Sequence, residues 1–322
     1  MMGTYRYDYS EWVTLNGDRQ NIRIRSQDLR NPVILFLHGG PGVCDRHLVL
    51  KNQSGLSRDF TLVMWDQRGS GKSFTRASLK QEVHVEDYVA DARQLVEYLC
   101  RKLQKESIIL ACHSWGTVIG LQLAVQHPEQ VAAYIGQGQF VNGAENERLS
   151  WQFCLEEAKR LGDQKAVERL SGIAPADGRY PDQKAMMTQR DYLTKYGGGN
   201  YKEHSGMIKS LLLPLLKTKE YSLADILRYA QGGTHLSGAL WDEVVACRFD
   251  ETVQALEMPV LLTMGRHDYN TPAALAQGWF QTLKAPYKEW AWFEESAHSP
   301  IWEEPEKWGD AVRRFCLEHT HC

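Results

Sequence analysis

The sequence predicts an α/β protein with a mostly parallel, doubly wound sheet and a helical insertion before its last strands. Three observations predict it. Short apolar runs stop abruptly at turn residues, helical-period segments lie between them, and a long middle stretch loses the strand rhythm.

The runs come first. Val33–Leu37 ends at His38-Gly39-Gly40-Pro41-Gly42, Thr61–Trp65 ends at Asp66-Gln67-Arg68-Gly69, and Ser107–Cys112 ends at His113-Ser114. Continuous apolar runs of this length, bounded by turn residues, read as strands buried on both faces of a parallel sheet. Between the second and third runs, Val85, Val89, Ala92, Val96, Leu99 and Leu103 recur at helical spacing. A further helix is expected from Trp115 to about Gln126, closed by His127-Pro128, and Ala132–Gly136 follows as a strand. Alternation of this kind implies right-handed βαβ units.

From about Phe140 to Asp250 charged helical stretches replace the strands: Asn146–Leu161, Gln164–Leu170 and Tyr221–Tyr229. The expected organisation is therefore a first core segment over 1–139, a helical cap over 140–250 and a second core segment over 251–322. In the last segment Met258–Met264 and Tyr287–Phe293 read as strands, and Pro305–Glu318 as an amphipathic closing helix.

Composition narrows the function classes. A formal net charge of −3, without any Lys/Arg-rich run, argues against nucleic acid as a partner. No stretch reaches the roughly 18 consecutive apolar residues of a membrane span, and the first residues lack the apolar segment of a secretory signal. The seven cysteines are dispersed, without metal-like pairs, which fits reduced thiols. A cytoplasmic location is the expectation, with no membrane partner, no metal and no cofactor.

The chemistry gathers at the ends of the strands. Serine is a weak nucleophile unless a base takes its proton and its hydroxyl is held clear of other partners. Cys112-His113-Ser114-Trp115-Gly116 passes from a strand to a helix, and such an elbow raises the serine above the sheet. It departs from the G-x-S-x-G pattern in having Cys112 at the first position, where another small residue suffices. Asp268 follows the strand ending at Met264, and His298 the one ending near Phe293, so acid and base lie on the edge that carries Ser114. His267, His113, Glu294 and Glu295 are weaker alternatives for those two roles. Gly39 and Gly40 let the backbone approach a reacting carbonyl, and the N–H groups of Gly40 and Trp115 are assigned to an oxyanion hole. His38 is expected to brace that loop.

These motifs resemble the proline iminopeptidase branch of the α/β-hydrolases. The resemblance rests on HGGPG at 38–42, DQRGSGKS at 66–73, HSWGT at 113–117, GRHD at 265–268 and SAHSP at 296–300, and it covers about two-thirds of the chain. It implies the α/β-hydrolase fold with a helical cap over the site, and a small-molecule or short-peptide substrate. It further implies release of an N-terminal residue, with cap carboxylates holding the substrate's amino group. The nearest acidic group in the insertion is Glu145-Asn146-Glu147, so Glu145 and Glu147 are the candidate substrate-binding carboxylates, with Gly39 of the glycine loop as the third substrate-binding candidate.

Three readings compete: an aminopeptidase or amidase, a carboxylester or lactone hydrolase on the same machinery, and a non-catalytic binding protein of the same fold. The last is disfavoured because nucleophile, acid, base and glycine loop are all present. Haloalkane dehalogenation is disfavoured because it needs a carboxylate nucleophile where this chain has Ser114.

Overall fold

A computed structural model describes residues 5–202 and 215–320. Its centre is an eight-stranded sheet in the order β1-β2-β4-β3-β5-β6-β7-β8. The strands are β1 (Tyr7–Leu15), β2 (Asp18–Ser26), β3 (Val33–Leu37), β4 (Thr61–Asp66), β5 (Ile108–His113), β6 (Val131–Gln137), β7 (Val260–Gly265) and β8 (Lys288–Phe293). Strands β3 to β8 pair in parallel, while β2 runs antiparallel to both β1 and β4.

The inner parallel strands β3 to β7 are largely apolar because both of their faces are covered, whereas the edge strand β8 is half-buried and carries Lys288 and Glu289. Leu35, Val63, Leu110 and Leu262 pack with the helices Val85–Leu103 and Trp115–Gln126 on one face. Their chain neighbours Ile34, Leu62, Ile109 and Leu261 pack with Trp308, Val312 and Phe315 of the helix Pro305–His319 on the other. Successive side chains of a strand alternate between faces, so one continuous run feeds two cores.

The β1–β2 hairpin is absent from the sequence-based expectation. Its signal is local: Asn16-Gly17 joins the strands with φ of 46° and 81°, the conformation a two-residue hairpin turn requires. The remaining sheet matches the expected class.

After β6 the chain leaves the sheet and returns before β7. Its two limbs are pinched together by the antiparallel bridge Asn142↔Arg248, by Gly143 N–H donating to the Cys247 carbonyl (3.0 Å) and by Phe249 N–H donating to that of Val141 (2.8 Å). Helices Gly143–Arg160, Gln164–Ser171 and Gln183–Lys195 share a small core of Cys154, Ala158, Ala166, Leu170 and Leu193. Trp151, Phe153, Tyr192 and Tyr196 pack around that core.

The helix expected over Tyr221–Tyr229 instead runs from Leu223 to Ala246, through Gly232-Gly233. A Cβ on Gly232 would sit 2.4 Å from the Gly69 carbonyl oxygen, and Gly233 lies against Gly42. The pair that would weaken an isolated helix is what lets this one press on the 38–42 and 66–71 loops.

Among the described residues no helix is long and apolar enough to cross a membrane. The six described cysteines are free thiols; Cys322 lies outside the described residues.

Candidate active site

Ser114 stands between β5 and the helix Trp115–Gln126 with φ 53° and ψ −118°. A non-glycine residue holds that conformation only under tertiary constraint. The constraint is visible: Ser114 N–H donates to the Gln137 carbonyl (3.0 Å), and the Ser114 carbonyl accepts from Thr117 N–H (2.8 Å) and Thr117 Oγ1 (2.6 Å). Gly116 must be glycine, because a Cβ there would lie 2.0 Å from the Leu37 carbonyl oxygen. Cys112 fits at the departed position because Gly120 leaves room for it; a Cβ on Gly120 would meet Cys112 Sγ at 2.3 Å.

Asp268 and His298 meet, with His298 Nδ1 3.0 Å from Asp268 Oδ2. The carboxylate is fully engaged. Its Oδ1 accepts from the N–H groups of Asn270 and Thr271, both 2.9 Å away, and its Oδ2 also accepts from Thr271 Oγ1 at 2.9 Å. Thr271 Oγ1 lies 3.2 Å from His298 Nδ1 as well, which makes it a positioning residue that sequence reasoning missed. Glycines bring the two loops together. A Cβ on Gly265 would lie 1.9 Å from the Ala297 carbonyl oxygen, and one on Gly138 (φ +53°) would lie 2.8 Å from His298 Cε1. Glu303, buried at the end of the short helix Pro300–Glu303, accepts from the N–H groups of Ala297 (3.0 Å) and Ser299 (3.2 Å) on either side of His298.

Three of the four weaker alternatives go elsewhere, while His113 stays beside His298, its Nε2 3.2 Å from the His298 carbonyl oxygen. His267 stacks on Tyr201 with centroids 4.5 Å apart, Glu294 pairs with Arg266 (2.7 Å), and Glu295 faces Lys202 (3.5 Å).

The glycine loop lies against the serine. A Cβ on Gly39 would stand 3.3 Å from Ser114 Cβ, and Gly40 has φ +123° with no room for a side chain beside Gly42 N. His38 braces this loop from below. Its Nε2 accepts from Gln67 N–H (3.2 Å), which leaves Nδ1–H to donate to the Gly39 carbonyl (2.8 Å). Burial lowers its pKa to about 4, so it stays neutral in that role. Gln67 serves both halves of the site: its Nε2 donates to the His38 carbonyl (3.2 Å) and its Oε1 accepts from Trp115 Nε1 (2.9 Å). The DQRG motif had marked the segment without revealing that part.

Glu145 and Glu147 are not brought to Ser114 as free acids. Glu145 pairs with Arg148 (2.8 Å) at the surface, and that hydrogen bond holds its pKa below the usual value. Glu147 is fully buried, and Arg190 Nη2 reaches both of its carboxylate oxygens at 2.8 Å. Helical spacing puts the two glutamates on different faces, and each face supplies an arginine. Among the described residues no cluster of His, Cys, Asp or Glu side chains could hold a metal ion.

Known proteins align with this arrangement. Residues 32–305 match the family model described as alpha/beta hydrolase fold. The chain is 29% identical over 309 residues to a probable aminopeptidase, YbaC, of Bacillus subtilis (strain 168), covering 95% of this chain and 96% of the relative. It is 26% identical over 284 residues to a proline iminopeptidase of Clostridioides difficile (strain 630), covering 87% of each. A crystal structure of proline iminopeptidase from Mycobacterium smegmatis superposes with a TM-score of 0.63 at 16% identity, over 97% of this chain and 98% of that one. With a family model matched along most of its length, over the same sheet, elbow and loops, this chain belongs to the α/β-hydrolase family.

Proposed function

We propose that the protein is a serine hydrolase of the aminopeptidase type, acting on small amides with a free N-terminal amine through an acyl-enzyme. The observation that carries this reading is Ser114 held in a strained strand-to-helix turn, beside a loop pair that joins His298 to a fully hydrogen-bonded Asp268. His298 takes the Ser114 proton as the hydroxyl attacks, and Asp268 stabilises the imidazolium that forms. The N–H groups of Gly40 and Trp115 receive the oxyanion, the second from a helix N-terminus. His298 then protonates the departing amine, and water releases the acyl group by the same route. Similarity to a probable aminopeptidase and to proline iminopeptidases supports the amide-directed choice.

A second reading, a carboxylester or lactone hydrolase, is favoured by one observation: both acidic side chains expected from the cap are occupied by arginines. An ester needs no ammonium partner.

The test is a matched pair of initial rates, on L-proline β-naphthylamide and on p-nitrophenyl esters, with Ser114→Ala as control. Turnover of the amide that falls by about 10⁴-fold or more in Ser114→Ala is the expected result. Ester turnover without amide release would select the second reading, and activity retained in Ser114→Ala would remove the serine mechanism. The reduced thiols fit a cytoplasmic setting for this chemistry.

A further inference from the structure

One carboxylate beside the site is used by nothing described so far. Asp45 follows the HGGPG loop and occupies the N-cap position of the helix Arg46–Asn52, yet its side chain makes no cap hydrogen bond. An aspartate at that position normally accepts from the first turn of its helix, so the side chain has turned away from its local use. The residue is 7% exposed. Within ion-pairing distance among the described residues stands a single basic atom, His113 Nδ1, 3.9 Å from Asp45 Oδ2.

That contact joins two acceptors. His113 Nε2 lies 3.2 Å from the His298 carbonyl oxygen, a group that can only accept, so the imidazole proton is on Nε2 and Nδ1 is bare. Burial, first of all, keeps His113 well below the usual imidazole range and hence neutral. When Asp45 is ionised, its Oδ2 and His113 Nδ1 therefore face each other as two acceptors with no proton between them. His113 Nδ1 also lies close to the nucleophile: a Cβ on Gly39 would be 3.1 Å from His113 Nδ1 and 3.3 Å from Ser114 Cβ. An α-ammonium, two bonds from a scissile carbonyl, has N–H groups enough for both acceptors, and its charge matches the carboxylate.

We propose that Asp45, with His113 Nδ1, is the anchor for the free α-amino group of the substrate. The proposal rests on the aminopeptidase reading and supplies the anion that Glu145 and Glu147 do not. It places the specificity determinant in the loop after HGGPG, on the core side of the site.

The experiment compares Asp45→Asn with the wild-type protein on L-proline β-naphthylamide, on its N-acetylated form and on p-nitrophenyl acetate. The expected result is a fall in kcat/KM for the free-amine substrate of the order of 100-fold relative to the ester, carried mainly by KM. Asp45→Ala is the second variant and should give the same substrate split. Proportional loss on amide and ester in both variants would make Asp45 a structural residue and overturn the proposal, as would unchanged amide turnover. These outcomes leave the aminopeptidase reading standing. A wild-type protein that cleaves only the ester, or the N-acetylated amide as fast as the free amine, would overturn that reading and the proposal with it.

Discussion

The His298 ring occupies space that one missing methyl group creates. Gly138 follows β6 with φ +53°, and a Cβ there would press on His298 Cε1 at 2.8 Å and Nδ1 at 2.9 Å. Gly138→Ala should therefore displace the imidazole and lower kcat by roughly 10- to 100-fold if His298 is the base proposed above, since about 1 Å of misplacement suffices for such a loss. Initial rates with a circular-dichroism check measure it, and an unchanged kcat would show that the ring has slack. Asp45 carries the opposite kind of constraint. Burial raises its pKa to about 7, so its charge is held at a cost that a cationic ligand would offset. Functional groups are often kept in such uncompensated places.

Glycine means different things in two helices of this fold. In Leu223–Ala246, Gly232 has the Gly69 carbonyl oxygen 2.4 Å and Phe74 Cδ2 3.1 Å from where a Cβ would be. In Ala273–Thr282, Gly278 has nothing within 4 Å. Intrinsic propensity favours alanine at both by about 1 kcal/mol. Gly278→Ala should accordingly stabilise the protein by about 0.5–1 kcal/mol, whereas Gly232→Ala should destabilise it by about 1–3 kcal/mol through overpacking. Urea unfolding midpoints for the two variants decide the matter, and equal shifts would mean that the long helix does not bear on the 66–71 loop. The same docking carries a buried polar link. Tyr221 Oη donates to Asp66 Oδ1 (2.9 Å), which also faces Arg46 Nη2 (3.1 Å), tying the start of this helix to the end of β4.

For the whole molecule, the buried histidines set the response to acid. His38 and His47 are each lowered to about 4 and His113 lies well below its ordinary value, all chiefly by burial. A histidine near 6.5 when unfolded and depressed when folded binds more protons in the unfolded state between those values. Its stabilising contribution is thus complete above about pH 6.5 and is lost as pH falls toward 4. Asp45 acts in the opposite sense, because its pKa is raised on folding and the penalty on its charge is relieved as pH falls through about 7. Burial also raises the pKa values of Glu303 and Asp18, which act in the same sense as that of Asp45. The three buried histidines outweigh Asp45, the two other carboxylates and the exposed His84, whose pKa the Glu243 hydrogen bond raises, and so predict a lower thermal midpoint at pH 5 than at pH 7, with a wider gap in Asp45→Asn. A midpoint that holds level or rises between those values would contradict the neutral-histidine assignment.

Much of this was legible in the chain alone, for physical reasons that differ by residue. Strands β3 to β7 announce themselves because burial on both faces demands nearly unbroken apolar runs, and the edge strand β8 through its aromatic residues Trp290, Trp292 and Phe293. The elbow at Ser114 and the loops of Asp268 and His298 could be placed because strand ends share one edge of a parallel sheet. The Asn16-Gly17 turn was equally local, though the strands beside it are half exposed and carry a weaker pattern. What the sequence could not decide were relations between distant segments. Whether Glu147 is a free acid depends on Arg190, whether Gly232-Gly233 ends a helix depends on Gly69 and Gly42, and whether Asp45 caps a helix or faces the site depends on His113. Local pattern records the environment a segment needs on average; the partner of one buried charge, or the atom against which one glycine must close, exists only once the chain has folded.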